Sequence, residues 1–395
     1  MASKPTVMSV DEEPCPLDIL ILACVGTLLA MGVLLVASAS SEISTRDYGS
    51  ALYLVTRHII FIGLAIGMGI ITLMVPLEVW RRSGWLMVVV SYLVLAAVLV
   101  PGIGKEVNGS TRWIPLGFFT LQGSEFVKLM MVMFIASYMT NPENRDHALG
   151  FLKAMAAIVG VVALLLLQPD LGSAVVIFVA FFGVIFLSGT PFRFLLPVIV
   201  AAFASLVVLI MLAPYRFERI LAFFDPWAHQ YESGYQLTQA LIAFGRGDWF
   251  GMGIGNSIQK LFFLPEAHTD FVYSILVEEF GLLSAIFVLA ILMVLILRAL
   301  WIAYIGLQRS MTFHSLVAGG IALLIGIQTL INIGVNVGAL PTKGLTLPLL
   351  SFGGNSLLAT IMMIAVLLRA EYELRHATSA PIVVAKRRRG TLSAS

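Results

Sequence analysis

Residues 282–297 read LLSAIFVLAILMVLIL, an unbroken apolar stretch without a charged side chain. The stretch belongs to a longer run, 271–304, that is rich in leucine, isoleucine and valine. About 20 apolar residues in a helix cross the roughly 30 Å hydrocarbon core of a bilayer. The run therefore predicts a transmembrane helix.

The rest of the chain repeats this pattern. Nine further runs are candidate spans, at approximately 19–38, 58–75, 84–101, 124–139, 152–168, 171–189, 193–213, 314–339 and 346–369. Composition agrees, because 59% of the 395 residues are hydrophobic and only 12% are charged. Soluble domains have roughly 45–50% apolar and about 25% charged residues. We predict an all-α, polytopic integral membrane protein with about ten transmembrane helices.

An even number of spans places both termini on one side of the membrane. Lysine and arginine are more frequent in the short segments on that side, which predicts that both termini are cytoplasmic. The predicted organisation is a cytoplasmic tail at 1–18, a transmembrane domain at 19–370 and a basic, disordered tail at 371–395. The largest outer loop covers about 214–270 and is expected to contain a short interfacial helix near 233–245.

The basic tail contains the run Lys386-Arg387-Arg388-Arg389 among alanine, serine and threonine. Such a run suits contact with anionic lipid head groups. No folded basic surface accompanies it, so we expect membrane lipids as partners and no nucleic acid.

Three titratable residues, Glu266, His268 and Asp270, lie within five positions just before the span 271–304. One interpretation is structural: Thr269 or Asp270 caps the helix that begins near Phe271. The other is functional, because this crowding lies at the outer membrane surface. The residues alone leave both open.

Charged residues inside the predicted spans need a partner or a wet cavity. Glu125 and Lys128 are three positions apart and lie on one helix face. They form an ion pair that lets the helix insert, or they line a polar cavity and orient a substrate. Glu278 and Glu279 lie about 12 Å from Asp270 along a straight helix, so buried structural hydrogen bonding is the role we expect for them.

Two further features favour a polar region near the outer surface. Gln328, Asn332 and Asn336 recur every four residues and form one stripe, for which interhelical hydrogen bonding is the commoner explanation and groove lining the alternative. The stripe leads to Lys343, which could meet an anionic head group. Arg112, in an outer loop beside a tryptophan, suits either phosphate recognition or head-group anchoring. Together these residues fit a lipid-handling enzyme or a transporter equally well.

Several blocks of the chain are similar to a known family. They are Gln168–Ser173 (QPDLGS), Gly251–Asp270, Glu278–Gly281 (EEFG) and Pro341–Pro348 (PTKGLTLP). In this order, and over roughly residues 19–370, the chain resembles the SEDS family (shape, elongation, division and sporulation). The blocks 255–261 (GNSIQKL) and 341–348 resemble its division members more than its elongation members.

The resemblance implies a peptidoglycan glycosyltransferase of the bacterial inner membrane, at the division septum. It would polymerise lipid II, the undecaprenyl-pyrophosphate-linked disaccharide peptide, and release undecaprenyl pyrophosphate. Its implied partners are a class B penicillin-binding protein, which is a transpeptidase, and other membrane proteins of the division complex.

The family pattern also implies roles for individual residues. The aspartate of its His-Thr-Asp-Phe motif, which is catalytic, falls on Asp270. Arg112, Glu125 and Lys128 match family positions and, with three residues of the similar blocks, form the expected substrate-binding set. Those three are Lys260, His268 and Lys343. One departure is Phe352, where the family often has tyrosine, so a role for that hydroxyl is not expected.

The sequence identifies no cofactor, and we assign no residue as a metal ligand. A divalent cation could help to neutralise a pyrophosphate, although no ligand cluster in the sequence requires one. Two other functions remain open at this point: a flippase that moves lipid II across the membrane, and a non-catalytic scaffold of the division complex.

Overall fold

The computed structural model describes residues 17–107, 110–115, 117 and 119–377. Its helices are α1 Ile19–Tyr48, α2 Tyr53–Met74, α3 Leu77–Arg82, α4 Gly84–Leu99, α5 Gly123–Met139, α6 Pro142–Asp146, α7 Ala148–Leu167, α8 Leu171–Leu187, α9 Phe192–Met211, α10 Pro214–Phe224, α11 Tyr235–Gly247, α12 Val272–Gln308, α13 Thr312–Asn336 and α14 Gly354–His376. Each of the ten predicted spans overlaps a helix, and α1, α2, α7, α9, α12 and α13 are long and apolar enough to cross a membrane. The predicted all-α membrane architecture is confirmed.

The described chain also contains a small antiparallel sheet between α4 and α5, which the apolar pattern does not predict. Its strands are β1 Lys105–Val107, β2 Ser110–Pro115 and β3 Thr120–Gln122, in the order β1-β2-β3. The helix expected near 233–245 is α11. The amphipathic α10 in the same loop was not predicted.

The two ends of the described chain lie at the same end of the helix bundle. Asp18 caps α1, and its carboxylate lies 2.6 Å from Nε of Arg298. Near the other terminus, Glu373 accepts a hydrogen bond from the backbone N–H of Leu77 and lies 2.8 Å from Nε2 of His314. An even number of spans requires this arrangement. We call the opposite end, which carries the sheet and the loops before α12 and α14, the outer end.

Helix α12 is broken at Gly281, where the sequence predicted a continuous span. Gly281 has φ +83°, and a Cβ atom there would lie 2.3 Å from the carbonyl oxygen of Trp249. Only glycine fits such a close backbone contact. The outer loop also compensates for the break, because the backbone N–H of Met252 donates to the carbonyl of Glu278 at 2.9 Å. The short helix 272–280 is therefore separate from the long span that follows.

The tenth predicted span, 346–369, is misplaced. Helix α14 begins only at Gly354, because Pro348 and a side-chain hydrogen bond from the Leu347 N–H to Oγ of Ser351 keep the preceding residues non-helical. The helix then continues to His376, beyond the predicted domain boundary at 370. Residues 1–16 and 378–395, including the basic run, lie outside the described part of the chain.

Candidate active site

Asp270 is the penultimate residue of the outer-end loop that precedes α12. The helix takes Phe271 as its N-cap and no side chain caps it, so the predicted capping by Thr269 or Asp270 is wrong. The backbone of Asp270 is fixed from another helix instead. Its carbonyl oxygen accepts hydrogen bonds from Nδ2 of Asn332 at 2.9 Å and of Asn336 at 3.0 Å. The backbone is thus held in place while the carboxylate takes no part in capping the helix.

The polar stripe of α13 makes the interhelical hydrogen bonds that the sequence favoured. Asn332 also donates to the carbonyl of Leu345, and Nε2 of Gln328 donates to the carbonyl of Thr346 at 2.9 Å. All three stripe residues are buried. A single face of α13 therefore positions both Asp270 and the loop that precedes α14.

Glu125 and Lys128 form the predicted ion pair on α5, with Nζ 2.7 Å from Oε2. Both side chains are almost completely buried, and Nζ of Lys128 also donates to Oε1 of Gln328 at 2.9 Å. Buried charges need such neutralisation and hydrogen bonding. The pair is connected through Gln328 to the carbonyl of Thr346, so its link to the site is indirect.

Arg112 lies on β2 and contacts the C-terminal end of α7. Its guanidinium donates to the carbonyl oxygens of Gln168 and Pro169, and Nη1 lies 3.6 Å from Oδ1 of Asp170. Its positive charge also acts on Asp270, whose pKa it lowers. The arginine is about one-quarter exposed, so it can reach a ligand at the outer end.

Gly344 forms the wall of the crevice beside Asp270. A Cβ atom on Gly344 would lie 2.8 Å from Oδ2 of Asp270, so the backbone approaches the carboxylate closely. Lys343 immediately precedes this glycine and is half-buried. The structure thus brings Arg112 within electrostatic reach of Asp270 and places Lys343 next to the glycine beside its carboxylate.

The carboxyl group of Asp270 has an unusual acidity for an aspartate. It lies outside the spanning helices, half-buried among neighbours that limit its hydration. Burial, and after it the negative charge of Glu266, raise the pKa of Asp270 to about 7, against the opposing effect of the Arg112 guanidinium. A base whose pKa lies near the working pH is suited to proton abstraction.

This pKa predicts a specific pH dependence. If Asp270 acts as a base, its ionised form is the active one, so kcat/KM should rise about tenfold per pH unit below 7 and level off above it. Replacing Glu266 with Gln removes a charge that raises the pKa of Asp270 and retains an acceptor for the Thr269 hydroxyl, 2.8 Å away. The inflection should therefore move to lower pH. Steady-state rates of lipid II polymerisation between pH 5 and 9 locate the inflection.

Glu232→Gln is the matched control, because Glu232 is an exposed acid of the same outer loop that does not contribute to the pKa shift of Asp270. It should leave the inflection in place. An inflection that moved upward in Glu266→Gln would contradict the assignment.

Lys260 and His268 contact other parts of the protein instead of sharing one surface with the other predicted substrate-binding residues. Lys260 is buried, and its Nζ donates to Oε1 of Glu279 at 3.0 Å and to Oγ of Ser38 at 2.9 Å. Burial lowers the pKa of His268, which favours the neutral imidazole, and its ring lies 5.6 Å from that of Phe352. Their substrate-binding role stays a prediction, and these contacts suggest that both shape the loop around Asp270.

Glu278 and Glu279 make the buried hydrogen bonds expected of them. Glu278 accepts from Nε of Arg246 at 3.0 Å and from the hydroxyl of Ser257, and Glu279 accepts from Lys260. Both are essentially inaccessible to solvent. They attach the glycine-rich part of the outer loop to α12.

One residue whose role the sequence analysis did not predict is Asp170, which it quoted only within the block Gln168–Ser173. Oδ1 of Asp170 caps α8 by accepting from the backbone N–H of Ser173, and it faces Arg112. The two residues are 58 positions apart, so no local pattern connects them. Within the described residues, no group of three or more His, Cys, Asp or Glu side chains could hold a metal ion.

The fold defines a multi-pass membrane protein, and it carries an aspartate of raised pKa at the outer end of its helix bundle. Comparison with known proteins identifies it further. The profile of the cell cycle protein family of FtsW, RodA and SpoVE matches residues 18–376. The chain belongs to this family, and the resemblance noted in the sequence is confirmed.

Individual relatives are similar over almost their whole length. The chain is 46% identical to the "Probable peptidoglycan glycosyltransferase FtsW" of Marinobacter nauticus, over 94% of this chain and 93% of that one. It is 47% identical to the protein of that name from Coxiella burnetii, over 90% of this chain and 96% of that one.

Solved structures share the fold. A chain from work on structural coordination of polymerization and crosslinking by a peptidoglycan synthase complex superposes with a TM-score of 0.74 and 29% identity, over 91% of this chain and 99% of that one. The rod shape determining protein RodA of Thermus thermophilus superposes with a TM-score of 0.67 and 26% identity, over 91% of this chain and 98% of that one.

Proposed function

We propose that this protein is a peptidoglycan glycosyltransferase that polymerises lipid II into glycan strands during cell division. The observation that carries the proposal is the carboxyl group of Asp270, whose pKa is raised to about 7 and which lies beside the Gly344 backbone within electrostatic reach of Arg112. This carboxyl group is at the outer end, where a lipid-linked sugar has its head group. The names of the relatives support the same reaction.

In the proposed reaction, a sugar hydroxyl of one lipid II attacks the anomeric carbon of another. Asp270 takes the proton of that hydroxyl as general base. The new glycosidic C–O bond forms as the bond from the anomeric carbon to the pyrophosphate oxygen breaks, and undecaprenyl pyrophosphate leaves with the electron pair. The proton on Asp270 then passes to solvent.

Cationic groups stabilise the departing charge. Arg112 presents a planar guanidinium that suits paired phosphate oxygens, and Lys343 lies next to the glycine that contacts Asp270. We assign Glu125 and Lys128 a positioning role, because Gln328 is the link between their buried ion pair and the Thr346 carbonyl. A mechanism with one base, Asp270, fits a single displacement better than a double one, which needs a second carboxylate as nucleophile.

The proposed setting is the division septum of the bacterial inner membrane. A related chain was solved as part of a peptidoglycan synthase complex, and many relatives carry the FtsW name. We therefore infer that this protein works with a class B penicillin-binding protein, which cross-links the new glycan, and with other membrane proteins of the division complex.

The test is glycan formation by the purified protein in detergent with lipid II as the only substrate. We expect polymeric glycan on a gel, and its degradation by a muramidase confirms the new glycosidic bonds. Detergent micelles provide no second compartment, so transport alone gives no product. Movement of lipid II across the liposome membrane without glycan formation would indicate a flippase instead. Absence of both glycan formation and lipid II movement, in a protein that still assembles into the division complex, would indicate a scaffold.

A further inference from the structure

A narrow groove opens at the outer end, beside the site described above. Its cavity has a volume of about 240 Å³ and lies among α8, α9, α10, α13 and the loop that follows α13. The walls are mainly aliphatic, contributed by Leu171, Val175, Leu206, Ile210, Ile331 and Leu345. Since α9 buries only Leu195 of its length, the α9 side of the groove adjoins the lipid-facing surface.

Two cations border this apolar groove. Arg219 on α10 is exposed, and its Nη1 makes a long hydrogen bond of 3.4 Å to the carbonyl oxygen of Thr342. Lys343 is the next residue after that threonine and also lines the groove. No acidic residue is among the lining residues that the structure describes. A guanidinium with several N–H donors suits a phosphate group at such a position.

The groove ends next to the acid–base site. Lys343 and Leu345 both line it, and Gly344 between them contacts the carboxylate of Asp270. A ligand that fills the groove with an apolar chain and places its phosphates on the two cations would present its next group to Asp270.

We propose that this groove binds the first isoprenoid units and the pyrophosphate of a polyprenyl-pyrophosphate-linked sugar, with Arg219 as a pyrophosphate-binding residue. The inference rests on the proposed function. It assigns the groove to the donor, which is the lipid II molecule that releases undecaprenyl pyrophosphate. The groove is smaller than the roughly 300–1,000 Å³ of sites for drug-sized ligands. It therefore holds only the part of the chain next to the phosphates, and the remainder lies in the bilayer.

A glycerophospholipid fits this groove less well. It has two acyl chains, which a groove of about 240 Å³ accommodates less readily than one chain, and its single phosphate diester carries less charge than a pyrophosphate. The two neighbouring cations match the greater charge. We therefore expect selectivity for the isoprenoid pyrophosphate over an anionic phospholipid.

The direct test measures binding of undecaprenyl pyrophosphate to the full chain in detergent, in an Asp270→Asn background that prevents turnover. Arg219→Gln should weaken binding at least about tenfold, the size expected for loss of charge-assisted hydrogen bonds. Arg219→Lys, which keeps the charge, should recover part of it. Ile210→Trp, which fills the groove, should weaken binding without altering any charge.

Arg193→Gln is the matched control. Arg193 lies in the first turn of α9, at the end opposite to the groove, where its guanidinium is 4.9 Å from the Phe194 ring. The Arg193→Gln substitution should leave binding unchanged. Equal competition by phosphatidylglycerol, or an unchanged dissociation constant in Arg219→Gln, would overturn the proposal.

The kinetics of lipid II polymerisation provide a second test, which distinguishes substrate binding by Arg219 from a purely structural role. With Asp270 intact, Arg219→Gln should raise KM for lipid II more than it lowers kcat. A lower kcat at unchanged KM would contradict substrate binding in the groove. If undecaprenyl pyrophosphate binding depends on Arg219 while the parent protein makes no glycan, the proposed function fails but the binding site stands.

Discussion

Asp270→Asn is expected to reduce lipid II polymerisation by about 100- to 10,000-fold, the range that a general base typically contributes. The substitution keeps the size and shape of the side chain and removes its basicity. The backbone hydrogen bonds from Asn332 and Asn336 to residue 270 should persist, because they involve only its carbonyl oxygen. We therefore expect a folded but nearly inactive protein.

The measurement is the initial rate of glycan formation by equal amounts of purified parent and variant. The thermal unfolding temperature in the same detergent is the control for folding. Thr269→Ser is a matched neighbour variant, since it alters the adjacent residue but keeps its hydroxyl, and it should retain most of the activity. A parent-like rate in a folded Asp270→Asn protein would exclude Asp270 as the base.

The second large effect concerns the buried pair of α5. Glu125→Gln removes the counter-ion of Lys128 and leaves an ammonium group that is almost fully buried, with Gln328 as a neutral neighbour. Breaking a buried ion pair from one side costs about 3–5 kcal/mol. We expect a clear decrease in the unfolding temperature, measured by scanning fluorimetry in detergent.

A double variant separates stability from function. Glu125→Leu combined with Lys128→Met replaces the pair with apolar side chains of similar size, which is often neutral or stabilising. The unfolding temperature should recover. Activity should not, because Oε1 of Gln328 loses its donor and the Thr346 carbonyl loses its fixed position. Recovery of both would show that the pair only permits insertion and does not position the site.

Helix number and approximate position could be predicted from the sequence because hydrophobic runs are local. A segment such as 282–297 favours the hydrocarbon core of a bilayer through its own composition. The same locality explains the correct i, i+3 pairing of Glu125 with Lys128. The prediction of a polar stripe on α13 was also correct, since its residues share one face of a single helix.

Local reasoning failed where backbone shape depends on a distant segment. The break in α12 at Gly281 depends on the close approach of Trp249, and the late start of α14 depends on the folded loop before it. The predicted cap at Asp270 was wrong for the same reason. Its carbonyl is fixed by two asparagines more than 60 positions away, and a capping rule considers only neighbours along the chain.

The amino-acid sequence by itself determined that the chain lies in a membrane and that Asp270 stands at the outer mouth of a span, because burial in lipid and helical spacing are properties of short segments. Only the tertiary structure decided what surrounds that carboxyl group. Its high pKa, the approach of Gly344, the contact of Arg112 with Asp170 and the groove beside Arg219 all arise between residues far apart in the chain. Desolvation and charge act through space, so they become fixed only when the helices pack.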